Sequence, residues 1–218
     1  MGQYSKKGLY SGYDKNNKER EALDYYATPP EEVTNILKVM NLEITAQDRV
    51  LDPCCGGGYM MKGIKDYFPR VTLAGTDVKD RRTDLVTDLE DRYNIVAHYG
   101  KDYDFLSEDY PVEECEYIIM NPPYSVITPF VNHALDIANR GVLMLGRLQF
   151  LEGEKRYNEV LKDNPPTTVY IYVDRIACYK NGDFSIKPNS IQAYAWFYWD
   201  KYDDSKETKI KLLRRVGK

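Results

Sequence analysis

Residues 121–124 read Asn-Pro-Pro-Tyr and follow directly on the apolar run Tyr117-Ile118-Ile119-Met120. The run has the character of a buried strand. Pro122 and Pro123 lack the N–H that a sheet ladder needs, so the strand must stop there. What it presents at its end is an amide, a rigid bend and an aromatic ring. The Asn121 side-chain oxygen and the Pro122 carbonyl are two acceptors, and a planar amino group has two hydrogens to give. Held by both, its nitrogen pyramidalises and its lone pair is freed from the adjoining π system. The prolines fix the acceptors, so nothing reorganises during reaction. Pro123 sets the position of Tyr124, whose ring can stack on a flat substrate. A plain turn after a strand also uses Asn-Pro, so the tetrapeptide gains its weight from its company.

That company begins with "VLDPCCGGGYMMKGI" at 50–64: a strand, Asp52, Pro53, then Gly56 and Gly58 opening a helix. Glycines there let backbone approach a ligand, beyond the carboxyl end of a strand, where open α/β sheets bind. The spacing is not G-x-G-x-x-G, because the next glycine, Gly63, comes too late, and no G-K-[ST] follows. A pyrophosphate cradle is therefore disfavoured. Asp52 would repel phosphate and pair with an ammonium. The next strand ends in Asp77, about 25 positions on, near the ~20-residue offset at which an acid grips ribose hydroxyls. A ligand with a ribose, a cationic amino-acid end and no pyrophosphate fits, and S-adenosylmethionine has that shape. Each acid alone has a simpler role open to it, Asp52 as a helix cap and Asp77 as a strand-end turn. Their joint order carries the reading.

The elements that must position these residues alternate. "TPPEEVTNILKVMNL" reads as a helix with Thr28 as a candidate cap and proline in its first turn. Strands follow at 49–53 and 70–78, with a helix over 57–68 between them and another over 81–93. "NIVAHYG" and "EYIIMN" are the third and fourth strands. A helix at 127–139 carries Pro129 in its first turn, and 141–147 is the fifth strand. "EGEKRYNEVLKDN" is a helix, "TTVYIYVD" the sixth strand, and "SIQAYAWFYWDK" at 190–201 the seventh. This is an α/β chain with a mostly parallel sheet covered on both faces. The organisation expected is a polar basic arm at 1–23, one domain at 24–201 and a basic tail at 202–218.

With 218 residues, 43% hydrophobic and 29% charged, the chain is globular. No apolar run reaches ~20 residues and the N-terminus has no signal-peptide core. Four scattered cysteines without a C-x-x-C pair, and only two histidines, indicate neither zinc nor disulfides. An intracellular, reduced protein is expected. The net charge of -4 argues against coating nucleic acid non-specifically. Charge is uneven, however: "EDYPVEECE" is acidic, "SKETKIKLLRRVGK" holds six basic residues against one acidic, and Lys6, Lys7, Lys15, Lys18 and Arg20 crowd the arm. Such arms can neutralise phosphate or simply be solvated termini.

These pieces together resemble the adenine-N6 DNA methyltransferases. "DPCCGGG" is similar to their D-P-x-x-G-x-G cofactor loop and "NPPY" to their catalytic tetrapeptide. "YYATPPEEV" resembles their Y-x-T-P segment, "GTDV" their ribose-binding strand end, and "YDFL" their D-F-L segment. "GRLQFLEGEKRY" looks like small phage-type members. The resemblance covers about residues 24–200 and implies a Rossmann-like class I fold, doubly wound, with seven strands and the last antiparallel. It implies S-adenosylmethionine held by Tyr26, Thr28, Asp52, Pro53, Gly56, Gly58, Asp77, Val78, Asp104, Phe105 and Asn121. It implies catalysis by Asn121, Pro122, Pro123 and Tyr124 on an adenine flipped out of DNA, since a duplex hides the reactive amine. Tyr124 would stack on that base, with Tyr179 or Phe184 covering its other face, although packing within their own loop suits either ring too. Lys180, Lys187, Arg147 and Arg156 are candidates to meet phosphates.

One departure stands out. Members of this family often carry a separate target-recognition domain, and none is visible here, so specificity falls to loops, the basic arms, a partner or a homodimer. Methyltransferases of RNA bases and of release-factor glutamine share the tetrapeptide, because a glutamine amide is also a planar amine. A non-catalytic subunit of this fold is a third reading, against which the loop and the clamp both stand intact.

Overall fold

The computed structural model describes residues 25–93, 95–111, 114–185 and 192–215. Its apolar runs become strands, and amphipathic segments pack on both faces of the sheet they form. After β1 (Tyr26–Ala27) comes α1 (Pro30–Met40), which buries Val33, Ile36 and Leu37 on one stripe. Pro30 starts the helix, where its missing N–H costs nothing. Thr28 does not cap it, contrary to the sequence expectation: Pro29 holds the cap position, and the Thr28 hydroxyl is turned to the end of another strand. β2 (Arg49–Asp52) leads to α2 (Tyr59–Tyr67), β3 (Thr72–Asp77) to α3 (Asp84–Arg92), then β4 (Ile95–Tyr99). β5 (Cys115–Met120) leads through a short 3-10 turn to α4 (Ile127–Ile137) and β6 (Ala138–Arg147). The three-residue α5 (Glu154–Arg156) runs into a π-helical turn, Tyr157–Leu161. β7 (Thr168–Tyr172), β8 (Tyr179–Lys180), β9 (Tyr194–Asp200) and β10 (Lys209–Leu213) complete the set.

Eight strands form one sheet in the order β10-β7-β9-β6-β5-β2-β3-β4. Only β9 runs antiparallel, and it does so to both of its neighbours, β6 and β7. The fold class read from the sequence is therefore observed, with one strand more than the seven expected. The addition is β10, from the segment read as a basic tail, which pairs parallel to β7 from Lys209 opposite Thr168 to Leu213 opposite Tyr172. β1 and β8 form a separate two-stranded antiparallel ladder.

The core lies in two layers. Along β9, Trp196 and Tyr198 join the layer under α1, α2 and α3, while Phe197 and Trp199 join the layer under α4. This is the alternation of a strand buried on both faces. From β2 the chain builds outward through β3 and β4, then returns to lay β5 on the other side of β2. The order reverses between β2 and β5, and ligands bind beyond the carboxyl ends at such a reversal. Those ends are Asp52 and Met120-Asn121.

α1 and α2 meet at Gly63. A Cβ there would lie 2.5 Å from the Val33 Cβ and 2.6 Å from the Pro30 carbonyl oxygen. Gly63→Val is expected to destabilise the protein by about 1–3 kcal/mol through overpacking, against a small gain in helix propensity. Thermal denaturation reads it as a fall of several degrees; an unchanged melting temperature would show that the two helices separate freely.

Candidate functional site

Pro53 ends β2 because it has no N–H for the ladder. The loop that follows is tied down at every turn. Cys55 N–H donates to the Thr76 carbonyl at 2.9 Å and Gly58 N–H to the Cys55 carbonyl at 2.9 Å. Gly56 (φ 51°) and Gly58 (φ 85°) take left-handed conformations that favour glycine. A side chain at Gly56 would overlap the Tyr25 ring. Gly56 N–H donates to Asp77 Oδ2 at 3.0 Å, and Gly57 N–H to the Tyr25 hydroxyl at 3.0 Å. Tyr99 and Thr83 hydroxyls donate back to the Gly56 and Gly57 carbonyls, each at 2.9 Å. Asp77 Oδ1 accepts from Lys79 N–H at 2.9 Å and faces Arg81 at 3.7 Å.

Asp52, 1% exposed, is the residue this loop leaves unsatisfied. Its Oδ1 accepts a long 3.3 Å bond from Cys54 N–H, and its Oδ2 is buried with no hydrogen bond. Burial first, and Asp77 second, push its carboxyl up to about 8. Asp77 is also raised by burial, against the pull of Lys79 N–H and Arg81. Burial raises the Cys54 and Cys55 thiols well above the ordinary range, which disfavours either as a nucleophile; Cys55 is buried, and Cys54 is half-buried at the cavity wall.

At the end of β5, Asn121 Nδ2 donates to the Tyr26 carbonyl at 2.9 Å and to Thr28 Oγ1 at 3.1 Å. A carbonyl only accepts, so this pairing assigns the amide: nitrogen inward, Oδ1 to the cavity. Pro122 is buried and Pro123 takes φ -57°, ψ 129°, from which the 3-10 turn Tyr124–Val126 enters α4. The Tyr124 hydroxyl is buried without a hydrogen bond, and burial raises its ionisation well above the ordinary phenol. The Arg147 guanidinium lies 4.3 Å from the centre of its ring.

Between the two strand ends is a cavity of about 360 Å³, within the ~300–1,000 Å³ of small-molecule sites. Of the residues singled out in the sequence, Tyr26, Pro53, Asp77, Val78, Phe105, Asn121, Pro122, Pro123, Tyr124 and Arg147 line it. Thr28 backs Asn121. Gly56 and Gly58 shape the loop without lining the cavity, and Asp52 is buried behind its wall, next to the lining residues Pro53 and Cys54. Asp104 is buried, with Oδ1 accepting from Leu106 N–H at 3.1 Å, while its neighbours Tyr103 and Phe105 form the wall.

The other candidates among the described residues lie outside this cavity. Tyr179 and Phe184 do not line the cavity: they stack on each other at 4.3 Å, and Phe184 packs on Tyr59 at 4.8 Å. Lys180 is exposed in the β1–β8 ladder opposite Tyr26, also outside the cavity lining. Arg156 donates to the Gln149 and Glu152 carbonyls, which holds a turn. Lys187 and the arm at 1–23 lie outside the described residues. Sequence reasoning missed Tyr25 and Arg81, which line the cavity, with the Arg81 guanidinium 5.3 Å from the Tyr25 ring. The only local signal was the Tyr25-Tyr26 doublet ahead of the Thr-Pro pair.

No family model matches the chain. A curated relative, the uncharacterized protein MG259 homolog of Mycoplasma pneumoniae, is 26% identical over 157 residues, covering 68% of this chain. The match spans 33% of that relative's length. Among solved structures, one from Listeria monocytogenes, provisionally named a class I S-adenosylmethionine-dependent methyltransferase, superposes with a TM-score of 0.63 at 13% identity, over 94% of this chain and 68% of its own. A dimethyladenosine transferase from Plasmodium falciparum gives 0.55 at 14% identity, over 81% and 63%. A protein of Pyrococcus horikoshii, provisionally named an RNA methyltransferase, gives 0.59 at 15% identity, over 88% and 93%. The fold is that of the class I methyltransferases.

The cofactor named for that fold can be tested against the residues present. An unpaired carboxylate oxygen under a glycine loop suits an ammonium, and Asp77 at a strand end suits vicinal hydroxyls. The residues fit S-adenosylmethionine. Asp52 also makes a stability prediction. Its folded ionisation is raised above the unfolded value near 3.9, so its contribution is present below that pH and is lost as pH rises towards 8. Each pH unit crossed costs roughly 1.4 kcal/mol at most. Asp52→Asn should therefore raise the melting temperature relative to the wild type more at pH 8 than at pH 5. An equal difference at both pH values would show that Asp52 ionises freely.

Proposed function

We propose that this chain transfers a methyl group from S-adenosylmethionine to the N6 amine of adenine in DNA. The observation that carries the reading is the pinned Asn121 amide. With both N–H groups engaged by Tyr26 and Thr28, its Oδ1 and the Pro122 carbonyl are the acceptors offered to an incoming amine. Both sit on a bend that two prolines hold, so the acceptors are in place before the substrate arrives.

When bound, the cofactor supplies an electrophilic methyl on a sulfonium. The chain's residues orient the two ends. Asp52 Oδ2 offers its unused lone pairs to the ammonium of the methionine end, and Asp77 its carboxylate to the ribose hydroxyls. Phe105 and Tyr103 add aromatic wall to the cavity. Asn121 and Pro122 hold the amine hydrogens so that the nitrogen lone pair faces the methyl. Tyr124 supplies the flat surface for a base withdrawn from its stack.

DNA as substrate rests on the D-P-x-x-G-x-G form of the loop and on the Y-x-T-P segment ahead of it. RNA adenine and a protein glutamine amide would use the same clamp. Among the described residues no helix is long and apolar enough to cross a membrane.

The test is transfer from labelled S-adenosylmethionine to duplex DNA, single-stranded DNA, RNA and a protein extract in parallel. Label on DNA adenine supports the proposal; label confined to RNA or protein moves the substrate and keeps the clamp. Asn121→Ala is expected to cut transfer by at least about a hundredfold, the scale of losing one preorganised group. Cofactor affinity, read by calorimetry, should change far less. Full activity in that variant would refute the clamp.

A further inference from the structure

Arg147 is the last residue of β6, opposite Tyr194 of β9. It lines the cavity, half-buried. Its Nε is buried with no hydrogen bond. Among the described residues no carboxylate forms an ion pair with it: Asp52 and Asp77, the buried acids of the site, belong to the loop at the other strand ends. What it does have is the Tyr124 ring, 4.3 Å away, and the neutral Tyr194 hydroxyl beside it. The other rings near Tyr124 are Tyr26 and Tyr194, both at 6.3 Å and tilted by 30° and 48°, so neither stacks on it. The planar group seated closest to that ring is thus a guanidinium.

A half-buried cation without an anion is costly. Cation over ring and base over ring are interactions of similar kind and strength. Tyr124 and Arg147 both line the cavity, so a flat substrate that stacks on that ring from the cavity meets the guanidinium there. The displaced guanidinium regains its loss only from an anion close by. It has a planar fork of donors that matches phosphate, with Nε already unsatisfied.

We propose that Arg147 holds the seat of the substrate base on Tyr124 and gives it up to a nucleotide by pairing with that nucleotide's phosphate. This rests on the clamp reading above and deepens it: Arg147 makes the site select a phosphate-linked base over a free nucleoside or an uncharged amide. A nucleoside displaces the guanidinium and offers it nothing. A strand displaces it and neutralises it.

The test is calorimetric titration of deoxyadenosine and of a single-stranded hexanucleotide carrying one adenine, with the wild type, Arg147→Ala and Arg147→Lys. The expected result is that Arg147→Ala binds the hexanucleotide at least tenfold more weakly and deoxyadenosine several-fold more tightly. Its hexanucleotide affinity should also depend less on salt, the log–log slope flattening by about 0.7 for one lost phosphate contact on a single strand. Arg147→Lys keeps the charge and loses the planar fork, so it should keep the salt slope and lose part of the selectivity. It also carries the test should the alanine variant not fold, in which case a selectivity equal to wild type overturns the proposal. An unchanged ratio of the two affinities in Arg147→Ala overturns the role of Arg147 and leaves the clamp standing. No binding of either probe to any of the three proteins overturns both.

Discussion

The site exists because two adjacent parallel strands both run into proline. β2 ends Asp52-Pro53 and β5 ends Asn121-Pro122. Neither proline can donate to the ladder, so both strands stop at the same edge of the sheet, β5 reaching about a residue beyond β2 in register. The carboxylate and the amide at the opening have no partner across it. Everything else answers that gap. The glycine loop turns sharply to reach α2. The 26–28 segment crosses to take up the Asn121 nitrogen. The 3-10 turn swings Tyr124 over the cleft.

The two sides of the cleft are finished differently. On the Asn121 side, both amide hydrogens are engaged, and rigidity follows from satisfied bonds. On the Asp52 side, a buried oxygen is left with nothing, beside a second acid, and its charge is held off by burial. A folded protein retains such a group at a cost in stability, as functional sites commonly do. The satisfied side poses a group for chemistry, and the unsatisfied side waits for a charge.

Much of this was legible because it is local. Apolar runs stopped by Asp, Asn or Pro name strand ends, and parallel strands of an α/β sheet bring their ends to one edge. Asp52, Asp77 and Asn121 could be placed on that logic alone. What escaped depends on contacts distant in the chain. β10 lies in a segment whose charge reads as a basic tail; its Ile210 and Leu212 stay exposed, and pairing with β7 gives the strand its place. Tyr179 and Phe184 look like free aromatics in a loop, yet Tyr59, more than a hundred residues earlier, packs against Phe184. Thr28 has the type and position of a helix cap, and Asn121 claims its hydroxyl instead. Arg147 is a candidate phosphate contact in the sequence, but its place over the Tyr124 ring shows only in the fold.

β9 carries a consequence for synthesis. β6 and β7 never touch as strands; β9 is inserted between them and bonds to both. Until residues 194–200 have left the ribosome, the growing chain holds β6-β5-β2-β3-β4 with a bare edge at β6, and β7 as a strand with no neighbour in the sheet, the kind of surface that recruits other chains. Tyr194, which backs Tyr124, arrives with the same strand. The cleft is therefore completed only when this strand joins the sheet, so a chain cut short before it would be an aggregation hazard with no working site.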